Sequence, residues 1–217
     1  MAISPHRILF VDEHLLAVDK LSGELTVRGE GEVGKLPLYD FLRKDHPGLR
    51  VLHRLDFETS GVVLFARSRA VHAAILKSKF AGWIKVYRTI VMGHMKRLKG
   101  TIDLPLPSRG QGEVRAVTHF RVLQQFDAAA SAEATIETGR HHQVRRHFAA
   151  IGNPLILDEL YGNKKYNRLF SHELHFRRFF LHAFSLTLPH PVTQQIITIT
   201  APLPEVFEEV LKRLRLN

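Results

Sequence analysis

The residues best equipped for chemistry lie together in the segment His53-Arg54-Leu55-Asp56-Phe57-Glu58-Thr59-Ser60-Gly61. Arg54 and Asp56 flank Leu55, so an extended backbone puts guanidinium and carboxylate on one face and leucine on the other. Leu55 then anchors to a core. The run Gly61-Val-Val-Leu-Phe-Ala66 follows at once and reads as a buried strand. A carboxylate at the mouth of a sheet, beside basic residues, has three uses: nucleophile, general base, or half of an ion pair that clamps a turn. The residue types alone leave all three open.

A second candidate is the basic block Thr138-Gly139-Arg140-His141-His142-Gln143-Val144-Arg145-Arg146-His147. Its stretch from 142 to 151 has a helical pattern. Three histidines raise the question of a metal, but they are not at the i, i+4 spacing that puts two ligands together on a helix, and no carboxylate lies within the run. No metal site is expected, and His142 is read as orienting its loop by hydrogen bonding. Further basic clusters at Arg43-Lys44, Lys96-Arg97-Lys99, Lys164-Lys165 and Arg177-Arg178 are consistent with a track for a phosphate backbone.

The elements that must position these residues can be read from apolar patterning. Arg7 to Lys20 predicts a hairpin split at Asp12-Glu13-His14, and the glycines at 29, 31 and 34 mark a loop. A short helix is expected over 36–44, ending before Pro47. Ser68 is a natural N-cap for a helix over 69–81. Lys85 to Val91 alternates as a strand should, placing Lys85 and Tyr87 on one face. Strands are expected over 116–124, 132–137, 181–188 and 195–200, with a closing amphipathic helix over 203–214. This order of elements predicts an α+β fold, with a mixed, mainly antiparallel sheet as core and helices at its flanks. A single catalytic domain over 1–217 is expected.

The composition narrows the partners. The chain of 217 residues holds 31 Lys and Arg against 21 Asp and Glu, a net charge of +10 that favours a polyanion. It has no cysteine, which removes disulfides, thiolate metal sites and a cysteine nucleophile. Neither a signal peptide nor an apolar run of membrane-spanning length is present, so a cytoplasmic protein with no membrane contact is expected. No protein partner is implied, and a monomer is the default.

The segment at 53–61 resembles the HRLDxxTSG signature of RluA-type pseudouridine synthases at every fixed position. Other stretches match in the family's order. Asp19-Lys20-Leu21-Ser22-Gly23 is similar to its lysine-proline-serine-glycine loop, with Leu21 in place of proline. The block at 138–147 resembles TGRxHQIRxH. Asn153-Pro154-Leu-Ile-Leu-Asp158 is a variant of HPIxGD, with Asn153 and Leu157 where histidine and glycine are usual, which puts the local turn in question. The resemblance runs from about residue 7 to 205, and implies a catalytic domain without the separate N-terminal RNA-binding domain of larger relatives.

The resemblance implies an isomerase that detaches uracil from its ribose through nitrogen, turns it, and rejoins it through carbon in structured ribosomal or transfer RNA. It implies no cofactor and no metal. Asp56 is the implied catalytic carboxylate, Arg145 its ionic partner, and Tyr87 the ring stacked on the uracil. Arg54 is the implied wedge that fills the place of a flipped base. His53, Lys85, Arg140, His142 and Arg146 complete the implied RNA-contacting set. The pair Arg145-Arg146 with His147, and the insert at Asn167-Arg168, resemble the TruC branch that acts on transfer RNA. Two rivals are a non-catalytic RNA-binding module of the same fold and a glycoside-cleaving hydrolase with paired carboxylates. The second has only Glu58 near Asp56 to supply its other acid.

Overall fold

The structure is a computed structural model, and it describes residues 3–28, 36–108, 110–176 and 178–216. The expected glycine loop at 29–34 and Arg177 of one basic cluster lie outside the described residues. In chain order the elements are β1 (Ile8–Val11), β2 (Leu15–Lys20), α1 (Leu38–Asp45), β3 (Arg50–Val51), β4 (Ser60–Ala66) and α2 (Arg69–Lys77). Then come β5 (Ile84–Met92), β6 (Lys99–Asp103), β7 (Leu106–Pro107), β8 (Glu113–Val114), β9 (Val117–Gln125) and β10 (Ala129–Ile136). The chain ends with α3 (Gln143–Ala150), α4 (Lys164–Leu174), β11 (Leu181–Pro189), β12 (Ile196–Thr200) and α5 (Glu205–Leu216). Ten of these strands belong to a large, mostly antiparallel sheet, as the α+β expectation requires.

The chain divides into two compact units, Met1–Lys85 with Ala183–Pro202, and Val86–His182 with Leu203–Asn217. In the first, β1, β2, β4 and β11 follow one another across the sheet, with β12 on β11 and β3 on β4. The β2–β4 register pairs Val18 with Val63 and Lys20 with Gly61. All of β4 is buried, which is why it reads as an unbroken apolar run. Leu15, Ala17, Val62, Leu64, Trp83 and Leu188 form the core beneath it. Ser68 caps α2 as expected, its Oγ accepting from the Val71 N–H at 3.2 Å. The helix stops four residues short of the expected bound because Lys79 and Phe80 take the left-handed conformation, at φ 51° and 60°.

In the second unit the order is β5, β10, β9, β6. Strand β10 begins at Ala129, three residues before the expected start. Alanine has little preference for strands. Here Ala130, Ala132 and Ala134 are buried in one cluster with Val144 and Phe148 of α3, where larger side chains would not pack. Helix α4 has no counterpart among the elements expected from sequence. Phe170 is its one buried residue among those described, so its apolar stripe is too thin to read. Asn163 starts it, its side chain accepting from the Lys165 and Tyr166 N–H groups. Among the described residues no helix is long and apolar enough to cross a membrane.

Candidate active site

Each unit holds its own set of the candidate residues. In the first, the signature segment is tied down almost entirely through its backbone. The Leu55 N–H donates to Thr26 Oγ1 at 3.3 Å. The Phe57 carbonyl accepts from the Gly23 N–H at 2.8 Å. Lys20, fully buried, donates from Nζ to the carbonyls of Leu21, Phe57 and Thr59 at 3.0, 3.1 and 2.7 Å. Burial pushes this ammonium down to about 8, against the pull of Glu24 and Asp56, which hold its proton. Asp56 thus stands in a turn, closed by the Thr59 N–H on its own carbonyl, with its side chain half-buried. Leu55 points into the protein and Arg54 is exposed, the alternation expected from sequence.

Gly61 ends the signature for a steric reason. Its φ is +108°, and a Cβ there would fall 2.2 Å from the Ala183 carbonyl oxygen. No side chain fits that approach. His53 faces inward: its Nε2 accepts from the Leu64 N–H at 3.0 Å, and its ring meets Trp83 edge-on. Burial, with Lys85 adding repulsion, pushes this imidazole down to about 3. Lys85 lies over the Trp83 ring at 5.8 Å, and burial lowers its pKa as well. Leu21, where the family resemblance has proline, gives its N–H to Glu24 at 2.9 Å, a tether that proline could not make.

In the second unit the basic block sorts by depth. Gln143 is buried and takes the Arg140 N–H on Oε1 while donating from Nε2 to the Val117 carbonyl. His147 is fully buried between Thr118 Oγ1 and the Leu104 carbonyl, at 2.8 and 3.0 Å. These two hold α3 to β9. Arg145 is buried and meets Asp158 with two hydrogen bonds, Nε to Oδ2 at 2.6 Å and Nη2 to Oδ1 at 2.8 Å. Its guanidinium also lies 4.3 Å from the centre of the Phe179 ring. Asp158 takes the Leu160 and Tyr161 N–H groups on Oδ1, both at 3.0 Å. Burial alone would raise this carboxyl, but the Arg145 guanidinium and the two amides hold it below the usual carboxylate range.

His142 caps α3 at φ +54° and reaches the Tyr161 hydroxyl at 3.0 Å, the orienting role expected of it. Arg146 donates to the same hydroxyl at 2.8 Å, whereas Arg140 is exposed. Tyr87, half-buried on β5, packs beside the cluster of Val91 and Phe148. Lys164, Arg168, His172 and His175 line a cleft of about 880 Å³ along α4. Asn153 and Leu157 settle the question of the variant turn. Asn153 donates to the Met92 carbonyl at 2.9 Å, and Leu157 adopts φ +62° where the resemblance has glycine. A leucine so placed costs roughly 1–2 kcal/mol.

Sequence reasoning overlooked Lys20, Asp158 and Tyr161 as working parts. The first two stand in stretches matched to family motifs, so the signal was present. Tyr161 is exposed as a partner only by the fold.

The family model described as RNA pseudouridylate synthase matches residues 14–150. Ribosomal large subunit pseudouridine synthase C of Vibrio vulnificus is 32% identical over 96% of this chain and 69% of its own length. The chain belongs to the RNA pseudouridylate synthase family. Dual-specificity RNA pseudouridine synthase RluA of Vibrio parahaemolyticus is 33% identical over 94% of this chain and 86% of that protein. The solved structure of human RNA pseudouridylate synthase domain containing 4 shares the fold, with a TM-score of 0.81 and 24% identity, over 97% of this chain and 93% of that one. This RNA pseudouridine synthase, of the RluA type, is therefore an isomerase that acts on RNA, and the reading as a non-catalytic module gives way to the enzyme.

Proposed function

We propose that this synthase converts uridine to pseudouridine in structured ribosomal RNA in the cytoplasm, as a monomer, with Asp56 as the catalytic carboxylate. The observation that carries the assignment is the turn at Asp56. Its backbone is tied by Lys20, Gly23 and Thr26, while the Asp56 side chain stays half-buried and Arg54 beside it is exposed. That is how a reacting group is presented from a rigid support.

The reaction breaks the bond from ribose C1′ to uracil N1 and forms one from C1′ to C5. The C5 proton leaves to solvent and N1 gains one, so no electrons are exchanged. Asp56 acts beside the glycosidic bond and Tyr87 stacks on the uracil. Arg145, already fixed by Asp158, serves as the ionic partner that aims the reacting carboxylate. Arg54 fills the gap left by the extruded base, since its guanidinium stacks as well as it binds phosphate. The basic cleft along α4 takes the phosphate backbone, with Arg140 and Arg146.

Ribosomal RNA is favoured because the relative from Vibrio vulnificus is named for the large ribosomal subunit. Transfer RNA is the second reading, on the likeness of Asn167-Arg168 to the TruC insert. Release of tritium from carbon 5 of labelled uridine in bulk RNA tests the activity. Asp56→Asn should reduce release by at least about a thousandfold. Full activity in that variant removes Asp56 from the mechanism. Mapping pseudouridines in RNA from a deletion strain decides between the two RNAs.

A further inference from the structure

Asp158 ends a turn that its own sequence does not favour. The residue before it, Leu157, is buried and left-handed at φ +62°. A glycine would take that conformation freely, and a leucine must be held there. The holding group is the side chain of Asn167, on α4. Its Oδ1 accepts from the Leu157 N–H at 2.9 Å, and its Nδ2 donates to the Asp158 carbonyl at 2.8 Å. The two halves of one amide therefore grip two consecutive residues.

The same carbonyl of Asp158 also receives the Gly162 N–H at 2.8 Å, and a Cβ at Gly162 would fall 2.2 Å from that oxygen. The Asp158 backbone is thus fixed from two sides, and its carboxylate from three: Arg145, and the Leu160 and Tyr161 amides. Few side chains could replace Asn167. Aspartate would set a carboxylate against the Asp158 carbonyl, alanine has neither group, and glutamine adds a methylene to a fixed span.

We infer that Asn167 is a positioning residue for the isomerisation, setting the place of Arg145 by clamping the left-handed Leu157 and the Asp158 backbone. The chain of contacts is Asn167 to Asp158, and Asp158 to Arg145, all within the second unit. This rests on the proposed role of Arg145. The clamp also explains how a leucine is tolerated at a position where the resemblance has glycine.

The test measures tritium release from [5-³H]uridine-labelled total RNA of a deletion strain, across pH, with Asn167→Ala, Asn167→Asp, Arg145→Lys and the double variant Asn167→Ala with Leu157→Gly. Either Asn167 variant should lower kcat on the order of tenfold with KM within about twofold. The shape of its pH profile should change as well, because Arg145 is displaced from its place. A smaller folded fraction would only scale the profile. Leu157→Gly should restore part of kcat per folded molecule, since glycine needs no clamp, although the emptied core around Ile156 and Phe170 lowers its stability.

Unchanged kcat and profile in Asn167→Asp overturn the inference, and so does a rate lost with the shape of the pH profile unchanged. Should Asn167→Ala fail to fold, Asn167→Asp, which keeps the shape of the side chain, decides the matter alone. Full activity in Arg145→Lys sinks the proposed role of Arg145 itself. Loss in Arg145→Lys with no effect at Asn167 sinks only the clamp.

Discussion

The two units fix their candidate groups by different means. Around Asp56 the tethers run to the main chain, from one buried ammonium, one threonine hydroxyl and one backbone amide. Around Arg145 they run between side chains, through a buried, two-bonded ion pair. A backbone tether sets the shape of a turn and tolerates change in the side chain it presents. An ion pair sets the side chain itself, and each half depends on the other. The first arrangement suits a residue that must react, and the second suits one that must stay still.

Substitutions should separate the two. Asp158→Ala removes one half of a buried, two-bonded ion pair and should destabilise the protein by about 3–5 kcal/mol, the cost of breaking such a pair on one side. Chemical denaturation measures it, and a loss below about 1 kcal/mol would mean that water replaces the carboxylate. Lys20→Met removes the donor from three carbonyls, yet the Phe57 carbonyl keeps the Gly23 N–H. Its expected cost is smaller, about 2–3 kcal/mol, with a steeper fall in activity than in stability. Equal losses at both positions would erase the contrast.

Acid should act on the first unit through His53, as it does on the second through His147, whose pKa burial also lowers. The folded pKa of His53, about 3, lies below its ordinary 6.5, so between these values the unfolded chain binds the extra proton. Stability is therefore full above about pH 6.5 and declines as pH falls toward 3. Asp158 is also held low, but its contribution is lost only as pH falls below its ordinary 3.8. Thermal melts from pH 7 to 5 should show a falling Tm that flattens in His53→Gln, whose amide oxygen still accepts from Leu64. An unchanged slope would mean that His53 does not set the acid sensitivity.

The smallest effect concerns RNA rather than folding. Lys164→Gln with Arg168→Gln should reduce the slope of log affinity against log salt by about 1.5, near 0.7–0.9 for each lost phosphate contact. Arg54→Gln provides the first unit's share for comparison. An unaltered slope would leave the α4 cleft without a phosphate.

The sequence was most legible where chemistry and strand pattern coincide. Asp56 sits in a charged loop before an apolar strand, and both features survive in the structure at β4. Hairpin β1–β2 and the N-cap at Ser68 were equally plain, because turn residues and capping act locally. Alanine-rich β10 and the thinly apolar α4 were less so, since burial among neighbours, not intrinsic preference, settles them. The partner of Arg145 at Asp158 joins two elements that only the fold brings together. Of the candidate set, His53 is the residue whose surroundings sequence describes least well, because its acceptor role toward Leu64 leaves no trace in residue type.

The tight passage of Gly61 past the Ala183 carbonyl bears on how the signature would look in a saturation screen. Position 61 should score as badly as position 56, but through yield: the polypeptide would be cleared or aggregate before it met any RNA. A survey that counts only modified nucleotides would then count a packing requirement as a reacting group. Weighing each variant by its abundance sorts the two, and leaves the aspartate alone on the chemical side.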